Sequence, residues 1–344
     1  MPLRVKKDIP EGLSRMRGEF CRSVLVFILS LIMLLPAALA EEKKRSDLVL
    51  PLALTVLAGP GLSTSAHLAD DLRSALSEWR DFRIFPSIGN GDIANVDDIL
   101  SRDFVDLAFV QIDTLDYLMN VGVDEGIREK INYIMVAYKA ELHLLAKSDI
   151  VDLEMLEGKK VNFGPNLEGT YLTATELFAN RQIDVTAMTM PHQEAYAMLK
   201  SGDIDAMAIV DGKPSKLLEF ASLDDGVRLM PVPGTDLTTG YATSTISSQD
   251  YPDLLASGDE IETIGVPTVL IAYNWPDDSS RRQALNQFIE ALLAQLPALR
   301  SHDRGFHPKW RESDIWRRLP DPWQRDPNVL RLLNPMKRFE DSSQ

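Results

Sequence analysis

The residues of this chain that could do chemistry are arranged to hold a molecule and not to break one. The sequence contains no Gly-x-Ser-x-Gly elbow, no His-Glu-x-x-His and no phosphate-binding Gly-x-x-x-x-Gly-Lys-Ser/Thr. Its five histidines, His67, His143, His192, His302 and His307, are not paired at ligand spacing on a common helix face. Its single cysteine, Cys21, lies near the N-terminus, so zinc has little to hold it. No catalytic residue, metal or cofactor is expected, and Asp97-Asp98 and Asp224-Asp225 read as solvated charges of turns and helices. What remains is a set of polar residues on glycine loops. Ser63, Thr64 and Ser65 follow Gly59-Pro60-Gly61, and Asn166, Gly169 and Thr170 follow Gly164-Pro165. Each loop opens a helical pattern, where free backbone N–H groups and the positive end of the helix dipole suit a carboxylate or phosphate. The same hydroxyls would also serve as plain N-caps. Two such loops, one per half of the chain, favour ligand contact. Gln111 and Asp113, and then Asp211 and Gly212, follow two buried apolar runs, where polar groups fix an amine or hydroxyl; Asp113 has a competing role as cap of the helix from Thr114. Tyr138 is placed to cover an apolar ligand part and Glu141 to pair an ammonium.

The elements that must position these residues are written twice. Val56-Leu-Ala-Gly59-Pro60-Gly-Leu62 heads a helical pattern through Leu72, and Val161-Asn-Phe-Gly164-Pro165-Asn-Leu167 heads another through Leu177. Leu100 to Gln111, with Asp106 before its apolar run, is echoed by Leu199 to Val210, with Asp205 in the same place. Strands alternating with helices predict a doubly wound sheet, and continuous apolar runs such as Val105 to Val110 predict parallel strands buried on both faces. Two similar α/β lobes facing each other make a cleft, with ligands outside the carboxyl ends of the strands. The expected organisation is lobe 1 over 47–141 plus 262–300, lobe 2 over 142–261, and a Trp-rich C-terminal extension over 301–344. Ile131 to Ala146 and Gly265 to Tyr273 supply the strands that pass between lobes. Trp310, Trp316 and Trp323 make the extension either a strap packed on a lobe or a docking surface for a partner. Met188, Met190 and Met198 read as packing.

At 344 residues and 45% hydrophobic content, the chain can fill two cores. Six basic residues precede the apolar run Ser23 to Leu39, which ends Ala38-Leu39-Ala40. That pattern predicts an export signal cleaved after Ala40, with an uncleaved membrane anchor as the alternative. Cys21 lies before the apolar run, so a lipid-acceptor role is not expected. The formal charge of −15 argues against nucleic acid as a partner.

Several motifs carry a resemblance. Val105-Asp-Leu-Ala-Phe-Val-Gln111-x-Asp113, Leu153-x-x-Leu-x-Gly-Lys-Lys-Val-Asn-x-Gly-Pro165-x-x-x-Gly169-Thr170 and Gly202-Asp-Ile-Asp205-Ala together resemble the TAXI family of extracytoplasmic solute receptors that serve TRAP transporters. Tyr241 to Ile246 and Val266-Pro267-Thr-Val-Leu resemble its later segments, so the likeness covers roughly Leu48 to Leu296. It implies a type II periplasmic-binding-protein clamshell, a periplasmic monomer and an anionic or zwitterionic solute such as an amino acid or organic acid. It also implies delivery to TRAP-type permease subunits. A membrane-tethered sensor or adaptor on the same fold is the alternative, and an enzyme on this scaffold would need a constellation the sequence does not offer.

Overall fold

The computed structural model describes residues 52–79, 82–121, 126–234 and 240–341. The predicted export signal lies outside the described residues. Among the described residues, no helix is long and apolar enough to cross a membrane.

The fold is α/β and two-lobed, built on one mixed sheet. Its strands are β1 (Leu52–Ala58), β2 (Phe82–Ile88), β3 (Leu107–Gln111), β4 (Ile131–Lys147), β5 (Lys160–Asn162), β6 (Thr186–Met188), β7 (Ala206–Asp211), β8 (Val227–Met230), β9 (Ala242–Ser247) and β10 (Glu260–Tyr273). The order is β2-β1-β3-β10-β4-β7-β5-β6, with β8 paired to β4 and β9 to β10. The helices are α1 (Thr64–Ala75), α2 (Asp92–Ser101), α3 (Ile112–Asn120), α4 (Ile127–Lys130), α5 (Gly169–Arg181), α6 (His192–Ser201), α7 (Ser280–Leu299) and α8 (Pro327–Asp341). Leu153–Leu156 forms a single 3-10 turn before Gly158, whose φ of 70° needs glycine.

In the first half β1, β2 and β3 are parallel; in the second, β5, β6 and β7 are parallel. Both halves share β4 and β10, two long antiparallel strands that run through them side by side. β4 is one strand of 17 residues, and nearly every residue is buried, as a strand covered on both faces must be. The repeat has a structural counterpart. Asp106 Oδ2 accepts from Thr55 N in β1 at 3.0 Å, and Asp205 Oδ2 accepts from Lys160 N at the start of β5 at 3.1 Å. In each half the carboxylate ahead of one parallel strand ties down its neighbour. Each is also matched by a cation, Arg281 at 2.7 Å and Lys147 at 2.8 Å.

Two apolar clusters follow. The larger joins the first half to part of the second and includes Leu68 and Leu72 of α1, with Phe82 edge-on to Phe288 of α7. The smaller packs Tyr196 and Leu199 of α6 on Met207 and Ile209, with Met188, Met190 and Met198 at its margin. The C-terminal segment lies as a strap on the first half. Trp310 and Trp323 are buried, while Trp316 stays exposed. The strap hydrogen-bonds the open side of β4: Asp314 N donates to Val136 O at 2.8 Å and Asp326 N to Tyr133 O at 2.9 Å. An exposed strand edge that would pair with other chains is thereby covered.

Candidate functional site

The carboxyl ends of the parallel strands in both halves open onto one gap, as expected where an α/β sheet reverses its winding. β1 contributes Gly59 and Ser63 through the loop into α1. β2 contributes Gly91 and Asp92, and β3 contributes Gln111. From the other half come Glu168, Gly169 and Thr170 at the start of α5, His192 at the start of α6 and Asp211 at the end of β7. Phe109, Tyr138 and Thr268 line its floor. The gap is narrow, with a cavity of about 40 Å³.

Direct bonds hold the halves together around it. Thr64 N, at the first turn of α1, donates to Asp211 Oδ1 at 2.9 Å, and Thr64 Oγ1 donates to Gly212 O at 2.9 Å. Thr173 Oγ1 of α5 donates to Asp113 Oδ2 at 2.6 Å, and Tyr241 reaches the same oxygen at 3.0 Å. Ile93 N donates to Leu167 O at 3.1 Å. The approach is close enough to need glycine. Gly91 has φ 111°, and a Cβ there would stand 2.3 Å from Leu167 O. The same atom on Gly169 would meet Asp92 Oδ2 at 2.3 Å.

The gap is acidic. Asp92, Glu168 and Asp211 line it, and among the described residues no Lys or Arg does. Burial, then the negative charge of Asp113, push the Asp92 carboxyl up to about 8; a backbone hydrogen bond from Gln111 opposes them. Burial raises Asp113 to about 6 against its bonds from Thr173 and Tyr241, and raises Asp211 despite Ser215 and Thr64. A stability trend follows. The unfolded chain releases an Asp proton near pH 4, whereas folded Asp92 keeps it to about 8. Through this range the folded state holds a proton that the unfolded state has lost, so stability falls as the pH rises. His143 and His307, lowered by burial to about 4, act oppositely, but their contribution is nearly complete once pH passes their unfolded value near 6.5. Between pH 6.5 and 8 the unfolding free energy without added solute should therefore drop by about 1 kcal/mol, the last part of the histidine gain offsetting some of the Asp92 loss. Urea titrations across that window measure it. Asp92→Asn should flatten most of the slope; a flat wild-type profile would refute the assignment.

The predicted residues divide into three groups. Ser63, Ser65, Gln111, Tyr138, Gly169, Thr170 and Asp211 line the gap. Several of their polar atoms are already engaged: Ser63 Oγ caps α1 through Ala66 N, Ser65 Oγ accepts from Gly59 N, and Thr170 Oγ1 accepts from Val210 N. Thr64, Asp113 and Gly212 do not line it but join the halves beside it. Two placements are corrected. Asn166 is exposed on the outside of its loop, because α5 begins only at Gly169. Glu141 is not free for an ammonium ligand, since Lys309 Nζ stands 2.8 Å from it and Lys213 N and Ser244 Oγ also donate to it. Residue-by-residue reading missed Asp92, Glu168, His192 and Thr173. Asp92 had a signal, because it follows the Gly89-Asn-Gly91 turn at a strand's carboxyl end. Glu168 sits at the N-cap of α5, and nothing local marks it as facing His192 across 24 residues.

A family model described as the NMT1-like family matches residues 80–304. Among solved structures, the aliphatic sulphonate binding protein SsuA from Escherichia coli is 17% identical at a TM-score of 0.45, with 83% of this chain and 79% of that chain covered. The alkanesulfonate-binding protein SsuA from Xanthomonas axonopodis pv. citri, bound to MOPS, is 16% identical at 0.45, with 85% and 93% covered. At these values the likeness says nothing about what this chain binds.

Proposed function

This chain belongs to the NMT1-like family, and we propose that it is an exported receptor that captures a small solute between its two lobes and hands it to a membrane permease. The observation that carries this reading is the convergence of strand ends and helix starts from both halves on one gap, at the place where this sheet architecture takes its ligands. The bonds from Thr64 to Asp211 and from Thr173 to Asp113 are those of a closed clamshell, and opening would proceed by flexing β4 and β10 where they pass between lobes. Within this proposal the lobes divide near Glu141 and Glu262. The permease is of the TRAP type, following the resemblance to TAXI receptors. Capture, not turnover, is the expected activity.

A thermal-shift screen of the full-length protein against amino acids, organic acids, sugars and amines at millimolar concentration tests the reading. A solute that binds only the folded state raises the unfolding temperature, by the equivalent of about 2.7 kcal/mol at a hundredfold excess over Kd. No rise with any member of the panel would remove the receptor reading.

A further inference from the structure

We propose that the captured solute is a small organic cation bearing a primary ammonium, held by Asp92 with His192 Nδ1 as a second acceptor. This narrows the receptor reading and rests on it. The first observation is the acidic lining of the gap: three carboxyl groups, Asp92, Glu168 and Asp211, face it, and among the described residues no Lys or Arg does. The second is a ring nitrogen without a partner in the wall of the gap. His192 is nine-tenths buried in the wall, and its Nε2 lies 3.0 Å from Glu168 Oε2. With the proton on Nε2 directed at that carboxylate, Nδ1 is left an acceptor, and it is buried without a partner. A buried acceptor without a donor is costly, and an N–H-rich solute supplies one. The third is the state of the anion site. Thr64 N at the start of α1, which would take a carboxylate, already holds Asp211, and Ser215 Oγ fixes the same side chain at 2.5 Å. The protein's own carboxylate stands where a ligand's would, and it adds negative charge to the gap.

Burial and repulsion keep Asp92 protonated near neutral pH, and an ammonium beside it would restore its charge. An organic cation fits better than a metal ion, because among the described residues no three His, Cys, Asp or Glu side chains stand together as metal ligands. The net charge of −15 adds a favourable field for a cation approaching from solution.

The test is calorimetric titration and thermal shift of the full-length protein with 1,4-diaminobutane and ethylammonium, set against succinate, glucose and acetate. Diaminobutane is expected to bind and to raise the unfolding temperature. Asp92→Asn should weaken that binding by about tenfold or more, His192→Phe should weaken it less, and Asp97→Asn, on the exposed side of α2, should leave it unchanged. Because Asp92→Asn removes the cost of burying a carboxyl beside Asp113, it should unfold at a higher temperature than wild type without solute, which separates lost binding from lost folding. Binding of succinate or glucose with none of the amines would overturn the cation assignment and leave the receptor reading intact. Equal amine affinity in wild type and Asp92→Asn would also overturn it. Silence from every compound in both screens would remove both.

Discussion

Lys309→Ala should destabilise the folded protein by about 3–5 kcal/mol, the cost of leaving a buried charge without its partner. Lys309 is 2% exposed and Glu141 fully buried, and Nζ lies 2.8 Å from Oε1. A second carboxylate, Glu312, approaches the same ammonium at 2.7 Å from a more exposed position. Glu141 sits on β4 where the strand leaves one half for the other, so the pair joins the C-terminal strap to the crossing point. Burial pushes the Glu141 carboxyl up, and Lys309 pulls it back. Without the ammonium Glu141 would rise further and fold in its neutral form. Its unfolded counterpart ionises above about pH 4.3, so the loss should be larger at pH 8 than at pH 5. Urea unfolding at the two pH values measures both effects. Lys309→Met combined with Glu141→Gln should recover most of the stability, because no orphaned charge remains. A loss below about 1 kcal/mol, or one independent of pH, would mean that the pair is solvated and contributes little.

Arg282→Met should cost a similar amount, about 3–5 kcal/mol, and should also free the strap. Arg282 of α7 grips Asp326 with both guanidinium nitrogens, at 2.6 and 3.0 Å, and both side chains are buried. Asp326 Oδ1 also accepts from Asn328 N at 2.8 Å, and its backbone N–H donates to Tyr133 on β4. Loss of the guanidinium leaves Asp326 charged, buried and held only by its own backbone neighbour. The strap should then lift from the edge of β4, exposing Trp323, whose indole N–H now donates to Asp116 at 3.0 Å. A red-shifted tryptophan emission and protease cleavage between Asp314 and Asp326 are the expected readouts. Arg282→Lys should recover little, since an ammonium cannot make the two parallel bonds. Unchanged emission and protease resistance would show that the strap is held by Trp310 and by the bonds of His307 and Trp310 to Asp71 instead.

How far the site could be read in advance differs from residue to residue. The glycine-proline loops announced their place because a strand, a tight loop and a helix start leave a local signature, and Ser63, Ser65, Gly169 and Thr170 line the gap. Asp106 and Asp205 could be matched by position in the repeat, though not by what they bind. Glu141 shows the opposite case. Its place on a crossing strand was legible, but its partner lies 168 residues later in a segment with no repeat to align it. The carboxyl groups that line the gap were hidden in the same way. A helix start by itself favours an anion, and only the packing shows that Asp211, 147 residues away, already fills it.

By itself, the sequence determined the alternating elements, their duplication and the loops that turn toward one another, because burial of a strand or of one helix face is written in neighbouring residues. Only the tertiary structure decided which side chains meet across the two halves, and with them the charge of the gap and the fate of Glu141. Those pairings depend on how the faces are brought together through β4 and β10, and the free energy of a buried charge is set by its surroundings in space, to which distant parts of the chain contribute as much as near ones.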